Sequence, residues 1–152
     1  MKKILIVLMI GLFSATPLFA SESATKEECV AKVKEAVAMV KEIGLDATLE
    51  KVNDPNGPFA WKGNYLFCVD VNTGVMKAHP NPKLVGKNLK AIKDVTGKMF
   101  VMEYTVLAKE KGEGWTEYMW PKPGEKKPSK KVNYVHKVPG EDVLFGAGIF
   151  VE

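Results

Sequence analysis

The chain has two cysteines and two histidines, and their spacing narrows the chemistry open to it. Neither Cys29 nor Cys68 is followed by the second cysteine and the histidine of a c-type haem attachment, and His79 and His136 lie too far apart for zinc-ligand spacing. Nucleophilic catalysis has little to build on, because no serine sits in a nucleophile elbow and neither cysteine has a catalytic flank. Carboxylate pairs such as Asp54 and Glu117 are available for acid–base work, but any chain with 18 acidic residues supplies such pairs. No catalytic residue, metal or cofactor is assigned, and an enzyme ranks behind a binding protein.

The residues that suit binding lie on strand-like segments. Tyr65 to Val71 alternates, and if Cys68 points at a covering helix, Asn64, Leu66 and Asp70 share its side while Tyr65, Phe67 and Val69 take the other. Asn72-Thr73-Gly74 reads as a hairpin connection that pairs Val71 with Val75 and puts Lys77 and His79 on the face of Tyr65. A face that only packs against a core is more uniformly apolar, whereas a small polar ligand needs apolar walls with a few placed donors. Taken alone, His79 reads first as a structural histidine. Strand Gly114 to Trp120 sets Tyr118 and Trp120 on one side and Trp115 with Glu117 on the other; one of those sides must be core.

The elements that position these residues begin after an export signal. Lys2 and Lys3, the apolar run Ile4 to Phe13, Pro17 and a small-residue site at Ala20 form the pattern of a secretory signal peptide, with cleavage expected near Ala20. The run is shorter than the roughly 20 residues of a membrane helix. Cleavage removes two of 22 basic residues and leaves 20 against 18 acids, a mild +2 in 132 residues that argues against nucleic acid. Residues 21–152 are then one domain, not membrane-spanning after processing and expected in a periplasm.

Thr25-Lys26-Glu27-Glu28 has the form of a capping box, and Cys29, Val33, Val37 and Val40 recur at helical spacing until Gly44. A short helix capped by Asp46 follows. Met99 to Lys111 reads as a third helix, and strands are expected over 65–71, 75–79, 114–120, 131–138 and 143–151, with residues 121–130 as an exposed turn. Helices followed by paired strands make an α+β protein with an antiparallel sheet of about five strands. In an oxidising compartment, one cysteine on the helix stripe and one on the strand beneath it favour a Cys29–Cys68 disulfide; the alternative is two small apolar groups in contact.

In this order, Asp70 to Gly74, Ala78-His79-Pro80-Asn81-Pro82, Val85 to Asn88, Asp94 to Lys98, Gly114 to Pro123, Lys131 to Val135 and Gly146 to Ile149 resemble single Cache domains of the second type over nearly all of residues 21–152. The resemblance implies a long N-terminal helix against a PAS-like antiparallel sheet whose other face holds a small ligand. Relatives usually form extracytoplasmic parts of chemoreceptors and histidine kinases, many associated with small organic acids such as acetate, propionate or pyruvate. Carried over residue by residue, the pocket candidates are His79, Tyr118, Trp120 and Lys131, with Tyr65 added by strand parity; Tyr134 matches the motif but alternates away from Lys131. The chain departs at Val143, where relatives commonly have tryptophan, and at Phe150, where they commonly have tyrosine.

The expected function is a soluble periplasmic sensor protein that binds a small organic acid, with Lys131 or a protonated His79 opposing the anion and Tyr118 donating to it. With no second apolar segment before Glu152, it would present its bound state to a membrane sensor protein. The alternative is a protein-interaction module with a vestigial pocket that regulates a membrane receptor or kinase.

Overall fold

The computed structural model describes residues 23–122 and 124–151, so the expected signal peptide lies outside the described residues. Both halves of the capping box are made: the Thr25 hydroxyl accepts the Glu28 N–H at 3.2 Å, and the Glu28 carboxylate accepts the Thr25 N–H at 2.9 Å. Helix α1 (Lys26–Ile43) starts there and buries Cys29, Val33, Ala36 and Val37 along one stripe. Gly44 ends it and also stands at the N-cap of α2 (Leu45–Asn53), so Asp46 sits in the first turn of α2 instead of capping it.

Six strands form one antiparallel sheet: β1 (Ala60–Trp61), β2 (Asn64–Asp70), β3 (Met76–Ala78), β4 (Glu113–Pro121), β5 (Pro128–Lys137) and β6 (Val143–Phe150). Their order is β1-β2-β6-β5-β4, with β3 also paired to β2, and α3 (Phe100–Lys111) joins β3 to β4. This is the α+β, PAS-like arrangement expected, with the two-residue β1 added. Strands β4 and β5 also run on to a Pro121–Pro128 pair, which shortens the expected turn. Proline is tolerated there because the end of a ladder needs no further N–H donor.

Strand parity divides the core in two. On the α1 side, Cys29, Val33, Leu66, Cys68, Tyr134, Phe145 and Ala147 pack together. On the other side Phe67, Val69, Leu144 and Val135 meet Phe100, Val101 and Tyr104 of α3. Leu66 and Phe145 are fully buried, and truncating either to alanine should cost about 2–5 kcal/mol.

Two further expectations are corrected. The hairpin around Gly74, whose φ is +74°, pairs Asp70 with Val75 one residue earlier than expected, and a bulge follows. Val69 pairs with Met76 but Cys68 with Ala78, so Lys77 is the extra residue and points to solvent. Cys29 and Cys68 are both free thiols, not a disulfide. The helix meets the strand at its start: Cys29 Sγ lies 3.5 Å from Asn64 Nδ2, and Cys68 is four residues further on, about 13 Å at about 3.3 Å per residue. A bridge needs Cα atoms within about 7 Å.

Candidate functional site

The side of the sheet away from α1 carries a cavity of about 130 Å³ between the strands and α3. Its floor is Tyr65 and Phe67 of β2 with Tyr118 and Trp120 of β4, and α3 closes it with Phe100, Val101 and Tyr104. The segment between β3 and α3 adds Leu84, Leu89 and Ile92 as a cover. Phe100 stacks on Tyr118 at 4.2 Å between ring centroids, and the edge of Trp120 meets Phe100 at 5.4 Å. The walls are therefore aromatic and held in place by packing.

The cover is tied to β4 by Asp94. Its carboxylate accepts the Thr96 hydroxyl at 2.6 Å, the Thr96 N–H at 2.8 Å, the Lys98 N–H at 3.1 Å and the Met119 N–H at 2.9 Å. Met119 stands between Tyr118 and Trp120, so this one side chain joins the cover to the strand that bears both pocket aromatics. The Met119 bond first, then the Thr96 hydroxyl, holds the Asp94 carboxyl down to about 2.

Lys131 is the charged group of the site. It is the cross-strand partner of Tyr118 on one side and of Phe150 on the other, so all three point to the cavity face. Only 4% of it is exposed. Its Nζ lies 5.1 Å from the Tyr65 ring and 5.3 Å from the Phe150 ring, a cation enclosed by π faces. Among the described residues no carboxylate pairs with it and no acceptor bonds it. Strand β6 makes room for its stem, because a Cβ on Gly148 would stand 2.9 Å from Lys131 Cε and 2.8 Å from the Val132 carbonyl oxygen.

His79 meets Tyr65 with 4.7 Å between ring centroids. The early hairpin pairing puts Met76, which strand parity missed, on this face in place of Lys77, and the bulge that follows keeps His79 there. Burial first, and then the Lys131 charge, holds the imidazole down to about 4. Its Nδ1 faces the Asn81 N–H at 2.8 Å and must accept, which leaves the proton on Nε2. His79 is therefore a neutral donor, not the protonated partner expected. Burial also pushes the Tyr118 hydroxyl above its ordinary range, so it stays a donor.

All five expected residues, Tyr65, His79, Tyr118, Trp120 and Lys131, line this one cavity. Tyr134 lies on the α1 face as its alternation requires and donates to the Glu113 carboxylate. Beyond Lys131 the site opens to a cleft of about 430 Å³ that shares Tyr65, Trp120 and Lys131 and adds Gly148 and Phe150. The arrangement offers donors and one cation to an acceptor-rich anion, and apolar walls to a short tail. Asn133 and Thr116, which sequence reasoning passed over, lie on the same face of the sheet but line neither the cavity nor the cleft.

Known proteins share this architecture. A solved Cache chemosensory domain, described for carboxylic acid recognition, aligns with a TM-score of 0.71 at 29% identity over 83% of this chain and 92% of its own. A periplasmic sensor domain of a chemotaxis protein aligns with a TM-score of 0.63 at 26% identity, over 83% of this chain and 90% of its own. The methyl-accepting chemotaxis protein McpP of Pseudomonas putida is 30% identical over 89 residues, which is 59% of this chain but only 16% of that protein. With the single Cache domain 2 model matching residues 16–152, the chain belongs to the single Cache domain 2 family.

Proposed function

We propose that this protein is a soluble extracytoplasmic binder of a short monocarboxylate that reports its bound state to a membrane sensor. The observation that carries the reading is Lys131, a lysine 4% exposed and enclosed by rings, with no anion beside it among the described residues. A buried charge is costly unless paired, so the site is built for an anion supplied from outside. Tyr118 and the Nε2–H of His79 donate to the carboxylate, and Phe100, Tyr104 and Leu89 surround its tail. A cavity of 130 Å³ admits only a few heavy atoms. At about 1.5 kcal/mol per atom, an acid of about five heavy atoms reaches micromolar affinity. The related domain that recognises carboxylic acids supports this ligand class, and the periplasmic sensor neighbour supports the compartment.

A thermal-shift screen of two- to four-carbon acids tests it. A saturable rise in Tm with at least one acid is expected, and no shift with any of them would overturn the reading.

A further inference from the structure

The hairpin between β4 and β5 closes beyond the Pro121–Pro128 pair through residues 122–127. The Lys122 carbonyl accepts the Glu125 N–H at 2.9 Å, and Gly124 takes a φ of +79°, so the tip is a tight turn. Lys122, Lys126 and Lys127 are exposed on it, with Glu125 as its one carboxylate. Among the described residues none of these three lysines is ion-paired. Lys130, next on β5, is instead held by Glu117 at 2.8 Å.

The positive charge continues from the tip into the molecule. Pro121 and Lys122 line the cleft beyond Lys131, together with Lys62 and Lys131, and among the described residues no carboxylate lines it. Glu28, which pairs with Lys62 at 2.6 Å, lies outside that lining. Ser23 and Ala24, which lead into α1, line the same cleft. One end of the domain thus joins the basic tip, the cationic cleft and the entry to α1. The apolar run Ile4 to Phe13 ends ten residues before Ser23. Ten residues span at most about 35 Å, so while that run is in a membrane this end of the domain stands within about 35 Å of lipid.

A specific protein interface takes about 800 Å² from each partner and has an apolar, aromatic-rich centre. Residues 122–127 hold no aromatic and no branched aliphatic side chain, so the tip does not supply one. An anionic lipid surface asks only for exposed cations and returns about fivefold in affinity for each lysine. We propose that this end of the domain docks reversibly on anionic phospholipid headgroups through Lys122, Lys126 and Lys127. Docking concentrates the protein at the membrane and does not depend on the carboxylate reading above.

Co-sedimentation of the exported protein with excess phosphatidylglycerol vesicles, and with phosphatidylcholine vesicles, tests this. At about 0.05 M salt the protein should pellet with the first lipid and stay in solution with the second. At about 0.5 M salt, where charges are screened beyond about 4 Å, it should be released. The triple variant Lys122→Gln, Lys126→Gln, Lys127→Gln should lose about a hundredfold in apparent affinity with its Tm unchanged, because all three side chains are exposed. Lys41→Gln, Lys51→Gln and Lys77→Gln together remove the same charge from other exposed positions and should stay within about threefold of the parent. Phosphatidylglycerol vesicles should also shield Lys126 and Lys127 from amine acetylation, read by mass spectrometry. Equal pelleting with both lipids, no pelleting with phosphatidylglycerol, or equal weakening by the two triple variants overturns the proposal.

Discussion

Nδ1 of His79 accepts the backbone N–H of Asn81 at 2.8 Å, and this single bond sets the tautomer of a ring that sits 4.7 Å from Tyr65 in the wall of the cavity. Protonating the ring would require breaking that bond beside the Lys131 charge. Burial is the largest cause and the Lys131 charge the second, and together they hold the group down to about 4 from 6.5.

The pH dependence follows. Because the folded His79 is lowered, the unfolded chain binds more protons between pH 6.5 and 4, so its contribution to stability is present above 6.5 and lost as pH falls toward 4. The full loss is about 3 kcal/mol at most, at about 1.4 kcal/mol per unit. Chemical denaturation at pH 7.5, 5.5 and 4.5 should show decreasing stability, while carboxylate affinity between pH 8 and 6.5 stays within about twofold, since the ring is neutral throughout. Affinity that climbs tenfold on acidification across that range would mean a protonated His79 meets the anion.

Lys131→Met removes the cation and keeps most of the stem. Affinity for the acid found by the screen should fall about ten- to a hundredfold, in line with about 1.5–3 kcal/mol for a charged hydrogen bond. Ligand-free Tm should not fall, because an unpaired buried charge is replaced by an apolar group of similar volume. Tyr118→Phe should weaken binding about tenfold with the fold intact. Calorimetry and melting on both variants decide this; unchanged affinity in both places the ligand elsewhere.

Asp94→Ala leaves the Met119 N–H and the Thr96 and Lys98 donors without their acceptor. The cover should loosen from β4, lowering Tm by several degrees and weakening acid binding severalfold, although Asp94 lies outside the cavity lining. Faster amide exchange at Met119 in this variant, by mass spectrometry, would place the change at the expected bond; a variant that matches the parent in Tm and affinity would remove Asp94 from the site's support.

The cysteines should behave as two buried thiols. Burial pushes Cys29 up to about 11 and Cys68 higher still, so neither is nucleophilic in the folded protein. Maleimide labelling should be slow natively and should add two labels per chain in denaturant without reductant. Two unlabelled cysteines under those conditions would restore the bridge.

The elements themselves were legible because they rest on local rules. The capping box at Thr25 and Glu28, the 3–4 spacing of Cys29, Val33 and Val37, and the alternation through Tyr65, Phe67 and Val69 depend on neighbours within one or two turns. The candidate site residues were legible where parity along a single strand sufficed, as for Tyr65, or where a motif carried them, as for His79, Tyr118, Trp120 and Lys131.

What the sequence determined alone was therefore the type and order of the elements and which residues share a face of one regular strand. Tertiary structure decided what crosses between strands. Turn pairing one residue early put Met76 in place of Lys77 on the cavity face, and a one-residue bulge opposite Cys68 and Val69 kept His79 there, offsets that no periodicity announces. The contact point of α1 along β2 set Cys29 beside Asn64 and left Cys68 unbridged. Pairing of β4, β5 and β6 brought Tyr118, Lys131 and Phe150 into one row and buried Asn133 beside them. Register, docking position and burial are non-local quantities, set by how the whole core closes, and the charge and proton positions of Lys131 and His79 that matter for a ligand follow from them.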